Sequence, residues 1–200
     1  MLMETREVGE LPPINHPKLF LLLGPSGAGK SEIIKKIHSV DSRIVPTTVV
    51  TDRSGRGEDF GKKSVTPEEF QTMKRNGEFL SCEPAHGNWY GILKSSVMDP
   101  LNRGEVPIQD YPEDKVGKIR EIMGDLATIY IVPPSMGELR KRLQLDDRDL
   151  DGSRFNAGRE ELLKLVRQHF RTANIDDVVI NRNIEEAARQ TLASIYERVK

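Results

Sequence analysis

The stretch Gly24-Pro25-Ser26-Gly27-Ala28-Gly29-Lys30-Ser31 constrains this chain more than any other. A glycine, four residues and then Gly-Lys-Ser is the spacing of a phosphate-binding loop, and it carries meaning only between a strand and a helix. Both are predicted. Leu19-Phe20-Leu21-Leu22-Leu23 is a short apolar run suited to a strand buried on both faces of a parallel sheet. Beyond the loop, Ile33, Ile34 and Ile37 recur at helical spacing, which predicts a helix over 31–39. The glycines let the backbone turn tightly, so that N–H groups converge on phosphate oxygens. The helix start adds its positive dipole end. Lys30 then reaches the β and γ phosphates of a nucleoside triphosphate, and the Ser31 hydroxyl ligates magnesium.

A chain of 200 residues suits one α/β core carrying inserted subdomains. The net charge of −1 offers no bulk basic field, so neither nucleic acid nor membrane is an expected partner. One cysteine, Cys82, excludes an internal disulfide and fits a reducing, cytoplasmic compartment. No apolar run approaches the roughly 20 residues of a membrane span. Residues 1–17 lack the apolar region of a signal peptide and are expected to be a flexible lead-in. Cys82 and His86 have no further neighbours at metal-ligand spacing, so no zinc site is expected.

Along the chain, 43–51 is β-branched and strand-like, with Pro46 favouring a sheet edge. Residues 52–61 hold three glycines and read as loop. Thr66-Pro67-Glu68-Glu69 has the capping residue, first-turn proline and reciprocal glutamate of a helix start. Glu78–Glu83 is a short strand, Ser95–Arg103 a short helix, and Val106–Gln109 a weak strand ending at Asp110. A helix over 113–123, a strand over 127–132 and a helix from Ser135 to about Leu145 follow. The polar run 146–158 precedes a helix over 159–170, a strand over 177–181 and a helix over 184–199. Strands alternating with helices, starting from a phosphate loop, predict an α/β fold: a parallel sheet flanked by helices, interrupted at about 52–93 and 146–158.

In this order the motifs resemble the guanylate kinase family from Lys18 to Lys200. The resemblance is carried by the phosphate loop, by Arg53-x-x-Arg56-Gly57-Glu58, and by Glu68-Glu69-Phe70 with Asn76-Gly77-Glu78-Phe79-Leu80. It continues through His86-Gly87-Asn88-Trp89-Tyr90-Gly91, Val132-Pro133-Pro134-Ser135, Leu139-Arg140-Lys141-Arg142-Leu143 and Val179-Ile180-Asn181. It implies a P-loop core (18–51, 94–142 and 159–200), an acceptor-binding insert (52–93) and a lid (143–158). It also implies ATP as phosphoryl donor, Mg2+, and a small phosphate-bearing acceptor, GMP in the family. Such a transfer needs alignment and positive charge more than covalent chemistry. Arginine forks suit phosphate oxygens. By the resemblance, Arg53, Arg56 and Tyr90 hold the acceptor phosphate, Asp110 belongs to the acceptor site, and Asn181 lies near the donor adenine. Lys30, Arg142, Arg148 and Arg159 act on the transferring group.

The sequence departs from that pattern where the family reads guanine. Val49 and Ile92 stand where hydroxyl residues are expected, Ser81 replaces a glutamate, and Pro112 takes the place of the second aspartate. A missing polar partner for a base edge costs a factor on the order of 10⁴ in discrimination. Glu83 substitutes for the missing glutamate if the strand bulges there. The acceptor is then GMP, another nucleotide or a sugar phosphate. The acidic run around Arg148 either pairs with the arginines or moves them from the site. Trp89 is expected to pack, and Lys62-Lys63 to be solvated. A non-catalytic binding module and an acceptor-less nucleotide switch are the competing readings. The intact Lys30 and Ser31 oppose the first, and Arg53 with Arg56 the second.

Overall fold

The computed structural model describes residues 11–53, 60–85, 87–145, 149, 151–168 and 174–200. Among them, β1 (Leu19–Leu23) is the middle strand of a five-stranded parallel sheet. It lies between β7 (Val106–Asp110) and β8 (Leu126–Val132), with β2 (Ile44–Pro46) and β9 (Asp177–Ile180) outermost. All five β1 side chains are fully buried. This explains their continuous apolar run, since each buried aliphatic side chain stabilises by about 1.5–3 kcal/mol. Helices α1 (Lys30–Val40) and α7 (Ile184–Val199) cover one face through Ile33, Ile37, Ala187, Leu192 and Ile195. Helices α4 (Val116–Met123), α5 (Met136–Leu145) and α6 (Ser153–Arg167) cover the other, around Leu21, Leu23 and Tyr130.

A second, four-stranded sheet runs β4-β3-β6-β5, built from β3 (Val49–Thr51), β4 (Lys62–Ser64), β5 (Phe79–Ala85) and β6 (Asn88–Leu93). Helix α2 (Pro67–Arg75) covers its outer face and α3 (Ser95–Asn102) leads back to β7. The predicted capping box at Thr66 and Glu69 is present, each side chain bonded to the other's backbone. The strand predicted over 43–51 is two strands in different sheets. Pro46 ends an edge strand, as its missing N–H requires, and the chain crosses to the second sheet before Val49. The weak strand at 106–110 is an inner strand, with Pro107 paired to Val45. Helix α6 starts at Ser153, six residues before the expected position. The Asp149 carboxylate accepts from the Arg154 and Phe155 amides, and that of Asp151 from the Ser153 amide. These two acids cap a helix. No helix among the described residues is long and apolar enough to cross a membrane.

The end of α1 is anchored by Asp41, whose side chain is 1 % exposed. Its carboxylate accepts from the Arg43 guanidinium at 2.8 Å and from the Tyr196 hydroxyl at 3.0 Å. Arg43 also donates to the Pro12 carbonyl, tying in the N-terminal segment. Burial alone pushes the Asp41 carboxyl up, but the bonds from Arg43 and Tyr196 hold it below its ordinary 3.8. A carboxyl lowered by folding stabilises the folded state above its unfolded value, and that contribution is lost as pH falls through the folded pKa. Arg43→Ala should cost about 2 kcal/mol, less than a fully buried pair, because Tyr196 still donates and Arg43 is partly exposed. Urea unfolding at neutral pH and below about pH 3 checks this. The loss should shrink in acid, and an equal loss at both pH values contradicts it.

Candidate active site

The phosphate loop leaves β1 at Gly24, where φ is +125° and an added Cβ would meet the Ile131 carbonyl oxygen of β8. It enters α1 through Gly29, at φ +92°, where a Cβ would collide with the Asn181 amide nitrogen. Both positions require glycine for conformation and for space. Asn181 is fully buried, and its Nδ2 donates to the Ala28 carbonyl at 2.7 Å. Its amide nitrogen clasps the loop from behind, while its buried Oδ1 has no hydrogen-bond partner among the described residues.

Lys30 is 9 % exposed and donates to the Gly24 and Pro25 carbonyls at 2.6 and 3.0 Å. Its ammonium also lies 3.5 Å from Asp110 Oδ1, while the Ser31 hydroxyl lies 3.5 Å from Asp110 Oδ2. Asp110, expected on the acceptor side, thus stands beside the phosphate loop. The parallel pairing of β7 with β1 puts it there, in register with Leu22. A hydroxyl and a carboxylate are hard oxygen donors of the kind Mg2+ takes, with phosphate and water completing its shell. No group of three or more potential metal-ligating side chains exists among the described residues.

Arg142, on α5, reaches the same region. Its Nε donates to Glu138 and its Nη2 to the Asn181 carbonyl, at 3.0 and 3.1 Å. Its buried Nη1 has no hydrogen-bond partner among the described residues. Arg159, on α6, is 55 % exposed, its guanidinium 4.0 Å from Glu160. It follows Gly158, whose Cα packs against Pro25 of the loop. Arg56, Arg148 and His86 lie outside the described residues.

On the second sheet, opposed residues share a face. One row is Val49–Ile92–Ser81 and the next Thr51–Tyr90–Glu83. Ile92 is buried in the core cluster that holds Leu21 and Leu23, and Val49 packs against it. Arg53 follows β3, its amide donating to Thr51 Oγ1. The β5 bulge falls between Phe79 and Ser81, two residues before the position that would let Glu83 replace Ser81. Glu83 instead pairs with Lys115 and Lys118, the latter at 2.7 Å. The Lys115 bond, then that of Lys118, lowers its carboxyl below the usual value. Glu83 thus ties β5 to the start of α4. Trp89 packs on the outer face as expected, under Lys74 and near Phe70.

Three features escape the sequence. Ser81 hydrogen-bonds the Tyr111 hydroxyl at 3.3 Å, Lys115 and Lys118 converge on Glu83, and the buried Tyr130 donates to Glu161 Oε1 at 2.6 Å. Each joins residues from separate elements. Only the apolar-to-polar change inside the β8 run, Tyr130, signalled that a partner was needed.

The family profile described as Guanylate kinase matches residues 16–198. Guanylate kinase of Streptomyces kasugaensis is 30% identical over 199 residues, covering 96% of this chain and 94% of that protein. Guanylate kinase of Bartonella quintana is 33% identical, covering 89% and 80%. The crystal structure of guanylate kinase from Anaplasma phagocytophilum superposes with a TM-score of 0.68 at 25% identity, covering 94% of this chain and 89% of that one.

Two predictions follow from the geometry. Gly29→Ala should weaken ATP binding by more than about tenfold, since the new Cβ drives Asn181 off the loop and strains the backbone; calorimetric titration reads it. Glu161 is raised chiefly by burial and further by Glu113 and Asp114, against lowering by the Tyr130 bond and Lys30. A carboxyl raised by folding favours the folded state below its unfolded value and loses that contribution as pH rises through the folded pKa. Glu161→Gln still accepts from Tyr130 and never ionises. Its stability relative to the native chain should therefore rise from about pH 4 to about pH 7. Urea midpoints that stay a constant distance apart would contradict this.

Proposed function

This chain belongs to the guanylate kinase family and is a kinase, and we propose that it moves the γ-phosphoryl group of ATP to the phosphate of a small acceptor. The observation that carries this is the meeting of Lys30, Ser31 and Asp110 at the end of β1. Lys30 is held by loop carbonyls whose bonds it can exchange for phosphate oxygens. Ser31 and Asp110 are the residues that would hold Mg2+, which neutralises charge on the phosphates when bound. Arg142 offers its unpartnered Nη1 to the donor phosphates from α5, and Arg148 and Arg159 add charge from the lid side. Arg53, Arg56 and Tyr90 bind the acceptor phosphate. The acceptor-binding part is assigned to the second sheet, which takes in β3 as well as 52–93, and the lid to 143–158.

GMP is the acceptor that the family implies. Val49 and Ile92 present only carbon on the inner face of the second sheet, and Ser81 and Glu83 are engaged with Tyr111 and the two lysines. This supports an acceptor range that extends to another nucleotide or a sugar phosphate. A coupled ADP-release assay with Mg2+ and ATP against GMP, other nucleoside monophosphates and sugar phosphates tests the reading. Turnover at about 1–100 per second with at least one acceptor is expected, and loss of at least about a hundredfold in Lys30→Ala. Binding of ATP with no turnover of any acceptor would overturn it in favour of a binding module. Preference for GMP above all others would remove the widened range.

A further inference from the structure

Arg142 carries its charge on a long side chain whose planar fork must be oriented before it can serve phosphate oxygens. Here the fork is held along two edges. Its Nε donates to Glu138 Oε1 at 3.0 Å, one turn earlier on α5, and its Nη2 donates to the main-chain carbonyl of Asn181 at 3.1 Å. Asn181 is fixed on both sides in turn. Its amide N–H donates to the Val132 carbonyl at 2.8 Å, and its Nδ2 donates to Ala28 of the phosphate loop at 2.7 Å. The guanidinium is thus referenced to the loop through one residue. Its remaining edge, Nη1, is buried and has no hydrogen-bond partner among the described residues. A charged donor left in that condition is costly unless a ligand completes it. Glu138 is itself anchored, its amide donating to Ser135 Oγ at 3.1 Å at the start of α5. As an i,i+4 pair partly exposed on both sides, the Glu138–Arg142 contact contributes little to stability. Its consequence is geometric: with Nε and Nη2 both engaged, the plane of the guanidinium is set.

We propose that Glu138 is a positioning residue for phosphoryl transfer, holding the Arg142 guanidinium against the Asn181 carbonyl so that Nη1 meets the donor phosphates without reorganising. The inference rests on the phosphotransferase reading above and on the role given there to Arg142. Glu138 touches no substrate and acts through the arginine alone. Orientation settled on folding does not have to be gained during the reaction, which is how a fixed donor lowers a barrier. The sign of the effect separates this role from an electrostatic one. A carboxylate beside the arginine subtracts positive charge, so on charge alone its removal would favour phosphate. On positioning, its removal harms transfer.

The experiment measures kcat and the KM for ATP in the full chain with Mg2+, using the acceptor turned over fastest in the assay above. Arg142→Ala should lower kcat by about a hundredfold or more, as loss of a charged donor to the transferring group does. Glu138→Ala should lower kcat by about tenfold while the KM for ATP moves by less than about threefold. Glu138→Gln keeps an acceptor for Nε and should stay within about threefold of the native kcat. In the Arg142→Ala background, Glu138→Ala should cost less than about twofold more, because its effect passes through the arginine. Thermal melting shows that each variant is folded at the assay temperature. An unmoved or raised kcat in Glu138→Ala overturns the proposal and leaves the kinase reading intact, as does the same factor of loss in both backgrounds. Glu138→Gln as slow as Glu138→Ala also overturns it, by placing the effect in the charge. A native rate in Arg142→Ala overturns it together with the role given to that arginine. Absence of turnover with every acceptor overturns the kinase reading as well.

Discussion

The backbone between Leu23 and Lys30 is gripped from several elements at once, and the rest of the site takes its position from that grip. Strand β8 closes on Gly24, the side chains of Leu139 and Leu143 from α5 close on Gly27, and Asn181 closes on Gly29 while bonding Ala28. Pro25 in turn receives Gly158 of α6. A loop that must aim several N–H groups at one anion cannot afford freedom, and close packing removes it. The same contacts bring α5 and α6, with Arg142 and Arg159, to the loop. The glycines are thus docking points for the helices that carry the cationic side chains, in addition to their role in the turn.

Carboxylates are handled in three physical ways. Asp41 is buried and kept ionised by Arg43 and Tyr196, so it acts as a structural knot. Glu83 is ionised and neutralised by two lysines, so it joins the second sheet to the core. Glu161 is half-buried against a tyrosine with acidic neighbours, and its charge is disfavoured. Asp110 differs from all three. It stays partly exposed, beside the cation and hydroxyl of the phosphate loop, as a group meant to meet a ligand would be.

Much of this was legible in the residues. The run 19–23 gave β1, the capping residues at Thr66 and Glu69 gave α2, and the alternation of strands and helices gave the parallel sheet, because each signal is local in sequence. The family was legible as well, since its motifs occur in order. The features that were not legible share a cause. The split of 43–51 between two sheets, the bond of Asn181 to Ala28 and the pairing of Glu83 with Lys115 and Lys118 all depend on partners distant in sequence. The start of α6 is a local feature, but the amides that Asp149 and Asp151 cap carry no mark in the sequence.

The sequence by itself determined the donor half: a phosphate loop needs glycines, a lysine and a hydroxyl at fixed spacing, and those eight residues are contiguous. It also determined that the usual polar residues at 49, 81 and 92 are absent. What occupies their place was decided only by tertiary structure. Tyr111 and Ser81 are 30 residues apart, and no periodicity links them. Their meeting depends on how the second sheet lies against the end of β7, which is set by the burial of Val49 and Ile92 in a core that neither segment forms alone.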